Sequence, residues 1–116
     1  MRALLSALVA VLALSVSPPA GADNPVLDAV VGPGFSISLR NADGTAVTQL
    51  PAGDYTIQVD DRSAIHDFHL TGPGVDLVTE VEFVGQQTWN VHLQDGTYTF
   101  VCDAHASAMH GSFTVG

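Results

Sequence analysis

Apolar and polar residues alternate with period two in stretch after stretch of this chain, and no other feature limits its fold as tightly. Phe35, Ile37 and Leu39 alternate with Ser36 and Ser38; Tyr55, Ile57 and Val59 with Thr56 and Gln58. Trp89, Val91 and Leu93 alternate with Asn90 and His92; Tyr98, Phe100 and Cys102 with Thr99 and, less cleanly, Val101; Phe113 and Val115 close the chain. Successive side chains of a strand point to opposite faces, so each run reads as a strand with one buried face and one wet face. Turn signals at Asp43-Gly44, Ala52-Gly53, Gly72-Pro73-Gly74 and Asp95-Gly96 separate the runs. No window carries a sustained helical apolar stripe. Seven to eight short strands with regular turns predict an all-β fold, a Greek-key β-sandwich or flattened barrel.

An internal echo supports that architecture. Leu50-Pro51-Ala52-Gly53-Asp54-Tyr55-Thr56-Ile57 matches Leu93-Gln94-Asp95-Gly96-Thr97-Tyr98-Thr99-Phe100 as L-x-x-G-x-Y-T-apolar. Each tyrosine begins a strand just past a glycine turn. That is the setting of a tyrosine corner, in which the phenol reaches back to the backbone.

The N-terminus has a different composition. Met1-Arg2 precedes an uncharged run, Ala3 to Val16, then Ser17-Pro18-Pro19 and Ala20-Gly21-Ala22. A basic start, a short apolar stretch and an A-x-A site predict a secretory signal peptide over 1–22. The apolar stretch is too short for a convincing membrane span. Residues 23–34, opening Asp-Asn-Pro and closing Gly-Pro-Gly, read as an N-terminal lead-in, and 35–116 as one domain. The expected destination is periplasmic, cell-surface or extracellular.

Charge excludes some partners. The chain has no lysine and carries 12 carboxylates against 3 arginines, a net charge of −9 at pH 7. Repulsion excludes nucleic acid and disfavours an anionic membrane. An acidic surface suits solubility, a monomer, or the steering of a basic partner.

Cys102, the only cysteine, precludes an internal disulfide. It opens the run Cys102-Asp103-Ala104-His105-Ala106-Ser107-Ala108-Met109-His110-Gly111, which gathers a thiol, an imidazole and a thioether at a strand end. A loop turning back on itself could aim Cys102, His105 and Met109 at one ion. One more histidine would complete the trigonal His₂Cys set with a weak axial Met that binds copper. The donor is a choice between His66 and His69. In Ile65-His66-Asp67-Phe68-His69-Leu70, alternation puts His66 on the inward face of Phe68 and Leu70, and His69 outward with Asp67. That favours His66. His92 reads as a surface residue, and His110, which neighbours Met109 and could compete for metal, reads first as solvent-facing.

These residues, with the strand pattern, make the chain similar to the small single-domain cupredoxins, the type 1 blue copper proteins of the plastocyanin/azurin family. Cys102-x-x-His105 resembles plastocyanin, His105-x-x-x-Met109-x-Gly111 resembles azurin, and His66-Asp67 resembles the family's His-Asn pair. The resemblance spans about residues 30–116. It implies one copper ion, cycling between Cu(II) and Cu(I), on His66, Cys102, His105 and Met109. Family members usually have Asn where Asp67 stands, its amide tying down the cysteine loop. An ionised Asp67 accepts but cannot donate, and a carboxylate there is expected to lower the reduction potential. Ala104 replaces a frequent proline.

The resemblance implies one-electron transfer, with His105 as the electron port amid Ala104, Ala106 and Ala108. The expected partner is a transient redox protein such as a basic cytochrome or oxidase domain, without stable membrane insertion. Enzymatic activity is not expected, because protein would fill every metal position. The alternative is a copper binder that buffers, delivers or sequesters the ion, favoured by the extra histidines His69, His92 and His110.

Overall fold

Turn residues and alternation set the strand ends in the computed structural model, which describes residues 24–116; the leader expected over 1–22 lies outside the described residues. The strands are β1 (Val26–Val31), β2 (Ile37–Asn41), β3 (Gln49–Leu50), β4 (Gly53–Asp61), β5 (His69–Gly72), β6 (Val75–Val78), β7 (Gly85–Leu93), β8 (Gly96–Val101) and β9 (His110–Val115). A 3-10 turn, Asp103–His105, joins β8 to β9. One sheet has the order β3-β9-β8-β5-β6 and the other β2-β1-β4-β7. Both are mixed: β1 runs parallel to β4, and β3 parallel to β9. The expected all-β sandwich is present, with nine strands among the described residues.

Alternation buries Tyr55, Ile57 and Val59 on β4, Trp89, Val91 and Leu93 on β7, and Tyr98 and Phe100 on β8. Their apolar faces meet between the sheets. Phe68 stacks on Phe100 with ring centroids 5.6 Å apart, and Tyr98 stacks on Phe113 at 5.4 Å. Such aromatic pairs dominate small cores because each ring removes a large apolar area from water.

The reading of residues 23–34 as a lead-in is corrected. Val26–Val31 forms β1, an interior strand between β2 and β4, so the domain begins before residue 35. Leu27, Ala29 and Val31 face the core, while Val26 and Val30 are half-buried on the other face. A strand with both faces partly covered reads as an apolar run instead of a clean alternation. Phe35 is corrected too: β2 begins at Ile37, and Phe35 lies outside it, 67% exposed.

Both tyrosine corners form. Tyr55 Oη donates to the carbonyl of Pro51 at 2.7 Å, four residues upstream. Tyr98 Oη accepts from the Gln94 N–H at 3.0 Å, also four residues upstream, and donates to the Pro73 carbonyl at 2.8 Å. The second corner thus pins the β5–β6 turn as well. Gly72 is required there, because a Cβ at that position would strike the Tyr98 ring.

Candidate metal centre

Cys102 follows the last residue of β8, and its loop closes through backbone bonds between its own donor-bearing residues. The Cys102 N–H donates to the Met109 carbonyl (3.0 Å), the His105 N–H to the Cys102 carbonyl (3.0 Å) and the Met109 N–H to the His105 carbonyl (2.9 Å). Cys102 and Met109 are buried at 0% and 1% exposure. His105 is partly exposed, flanked by exposed Ala104, Ala106 and Ala108. The alanines offer no bulk to keep a visitor away.

His66 comes from the loop between β4 and β5. Asp61, buried at the end of β4, accepts the Ser63 N–H (3.1 Å) on one carboxylate oxygen and the Thr79 hydroxyl (3.0 Å) on the other. Thr79 Oγ1 in turn accepts the Phe68 N–H at 2.9 Å. This chain of bonds fixes the loop at both sides of His66. Burial pushes the Asp61 carboxyl above its ordinary range, and the hydrogen bonds from Ser63 and Thr79 oppose that.

The two arms converge. His66 Nδ1 and His105 Nδ1 lie 3.1 Å apart, and Cys102 Sγ lies 3.7 Å from each. The point equidistant from these atoms is about 2 Å from all three, the length of a metal–imidazole bond. Two imidazole nitrogens and one sulfur so placed fit a trigonal His₂Cys copper site, with Met109 held at the same pole by its backbone bonds to Cys102 and His105.

The other histidines lie outside this triangle. His69 Nδ1 meets Asp103 Oδ2 at 2.9 Å and its Nε2 meets Asp76 Oδ1 at 2.7 Å. His92 pairs with Asp54 on the surface, and His110 is exposed. Two carboxylates, one at each ring nitrogen, call for the doubly protonated ring of His69. Burial alone would push its pKa down, but the hydrogen bonds to Asp76 and Asp103 outweigh this, and the pKa is raised above 6.5. A raised folded-state pKa stabilises the fold fully below about 6.5, and that contribution is lost as pH rises through the folded value. Urea midpoints of the wild type are therefore expected to fall between pH 6 and 8.5 by more than those of His69→Gln. Parallel pH profiles would rule this out.

Asp67 departs from the alternation, which put it outward. It is buried at 1% exposure, because β5 starts only at His69 and residues 66–68 are not strand. Its Oδ1 accepts the N–H of Asp103, the residue after Cys102, at 2.6 Å. The carboxylate thus ties the cysteine loop by accepting a backbone N–H. Burial is the main force pushing the Asp67 carboxyl upward, followed by its neighbour Asp103.

Sequence reasoning missed Asp61, Thr79 and Phe35. The Phe35 ring lies 5.3 Å from that of His66 and 4.9 Å from that of His105, between centroids. Its place in an alternating run pointed to a strand.

The fold is cupredoxin-like, and the donor set resembles that of the blue copper proteins. Solved structures bear out the fold. Reduced rusticyanin shares 23% identity over 78% of each chain, with a TM-score of 0.58. Rusticyanin from Thiobacillus ferrooxidans shares 23% over 78% of this chain and 76% of its own, with a TM-score of 0.52. A copper(I) amicyanin variant shares 18% over 79% and 83%, also at 0.52. No protein-family profile and no curated protein sequence matches the chain.

Proposed function

We propose that this protein is an exported type 1 copper protein that carries single electrons between redox partners and is not an enzyme. The observation that carries this reading is the triangle of His66 Nδ1, His105 Nδ1 and Cys102 Sγ at one end of the sandwich. His66, Cys102, His105 and Met109 would hold the ion, and bound copper supplies a Cu(II)/Cu(I) couple. Rusticyanin is described as a copper protein, which supports the same cargo here.

The chain's own contribution is rigidity and access. Cys102 is anchored by the end of β8, and His66 by the Asp61–Thr79–Phe68 bonds, so neither arm needs to move when the charge changes. His105 exposes part of its ring among alanines, where a partner can approach in a small, short-lived contact. The carboxylate-rich surface would orient a basic cytochrome or oxidase domain. With four donors from protein, no position is left for substrate. No helix among the described residues is long and apolar enough to cross a membrane. The leader expected over 1–22 supports a periplasmic, cell-surface or extracellular site.

The test is the visible spectrum of residues 23–116 after addition of Cu(II), followed by voltammetry. An intense thiolate-to-copper band and a reversible one-electron wave are expected. Tight binding without that band would move the function to copper buffering or delivery, and no binding would overturn both.

Asp67 sets one quantitative expectation. Asp67→Asn keeps an oxygen for the Asp103 N–H but removes a buried negative charge beside the ligand loop. A unit charge at an effective dielectric near 20 predicts a rise in potential on the order of 50–100 mV at pH 8. An unchanged potential would mean that Asp67 carries no charge or that solvent screens it.

A further inference from the structure

We propose that Phe35 is a latch that holds both imidazoles in the metal-binding position from the solvent side. The inference rests on the copper reading for its loaded-state consequences, but its geometry stands without metal. Phe35 is an exposed large apolar side chain, and its ring meets two others: His66 edge-on at 65° and His105 at 55°. The two imidazoles also meet each other, with centroids 4.8 Å apart. The three rings form a cluster in which Phe35 is the outermost member.

A second observation shows why such a restraint is needed. A ligating histidine ordinarily donates its other ring N–H to an acceptor, which fixes the orientation of the ring. His66 Nε2 is buried and has no hydrogen-bond partner among the described residues. Packing must therefore orient this ring. Two groups of the β1–β2 loop do so: the Phe35 ring and the backbone at Gly32. A Cβ at Gly32 would lie 3.3 Å from His66 Cδ2 and 2.9 Å from Ser63 Cβ, and Gly32 has φ +73°. Only glycine lets the loop come so close. The Gly32 N–H donates to the Ser36 carbonyl at 2.9 Å, closing the loop segment that carries Phe35.

His105 is the one partly exposed residue of the triangle, and hence the one that can leave by turning outward. Phe35 lies against it and also keeps water from the His66 edge. The latch therefore acts on ligand retention. It is a positioning role, because nothing requires Phe35 itself to touch the ion.

The test compares wild type, Phe35→Ala and Phe35→Tyr. Copper(II)-loaded proteins are mixed with excess EDTA, and decay of the thiolate-to-copper band is followed. Phe35→Ala is expected to lose copper about tenfold faster, the upper end of what aromatic contacts supply, and Phe35→Tyr within twofold of wild type. The side chain is mostly exposed, so the metal-free unfolding midpoints should agree within about 2 °C. In the metal-free proteins, the proton–proton contact between the His66 and His105 rings, read as an NOE, should weaken in Phe35→Ala and persist in Phe35→Tyr. Equal release rates in wild type and Phe35→Ala, or release from Phe35→Tyr as fast as from Phe35→Ala, would overturn the latch. If wild type forms no such band, the copper reading fails. The metal-free ring contact then decides the latch alone, and an unchanged His66–His105 NOE in Phe35→Ala overturns it.

Discussion

Serine in place of Cys102 is expected to abolish the intense visible band of the copper-loaded protein and to weaken copper binding by at least about 100-fold, while the sandwich persists. The band needs a sulfur bonded to the ion. Sγ is the one soft donor in the triangle, 3.7 Å from each imidazole Nδ1. A serine hydroxyl stays protonated at neutral pH and offers copper a hard, neutral oxygen instead. The backbone gives no reason for collapse. Residue 102 keeps its N–H bond to the Met109 carbonyl and its carbonyl bond from the His105 N–H whatever its side chain. Burying a hydroxyl where a thiol sat costs about 1–3 kcal/mol, less than the total stability of an ordinary domain. Circular dichroism and a competitive copper titration on the same sample separate the two effects. A variant that keeps the full band would remove sulfur from the ligand set and with it the type 1 assignment.

The ligand loop was legible because its chemistry is local. Cys102, His105 and Met109 lie within eight consecutive residues, and the loop's backbone bonds run between those same residues. The tyrosine corners were legible for the same reason, since each phenol reaches a group four residues upstream. The inward position of His66 was legible only in part. Phe68 and Leu70 are buried as alternation requires, but His66 sits in a loop where Asp67 is buried beside it. The loop is held by Asp61 and Thr79, a contact between the end of β4 and the residue after β6 that no short window of sequence contains. β1 escaped notice because prolines and glycines flank an apolar run that both strand neighbours help to cover. Phe35 escaped because a period of two says which face a residue takes in a strand, and says nothing about a residue just outside one.

Phe68→Ala is expected to cost about 3–5 kcal/mol, the range for deleting a fully buried phenylalanine, and to lower the metal-free midpoint by roughly 15–25 °C. Phe68 is 0% exposed, stacks on Phe100 and leans on Trp89 at 6.2 Å. Its position makes this more than a stability effect. Phe68 lies two residues after His66, and Phe100 two residues before Cys102, so the stacked pair spans the roots of both ligand arms. A cavity there lets the arms drift apart, and copper affinity should fall by more than tenfold. Phe113→Ala is the control. Phe113 is also buried and stacks on Tyr98, a pair rooted away from His66 and Cys102. It should destabilise the metal-free protein by a similar amount yet leave copper affinity within a few-fold of wild type, both measured well below the variants' midpoints. Equal loss of affinity in the two variants would show that the site follows the stability of the whole sandwich. A loss confined to Phe68→Ala would show that the Phe68–Phe100 stack sets the spacing of the donors.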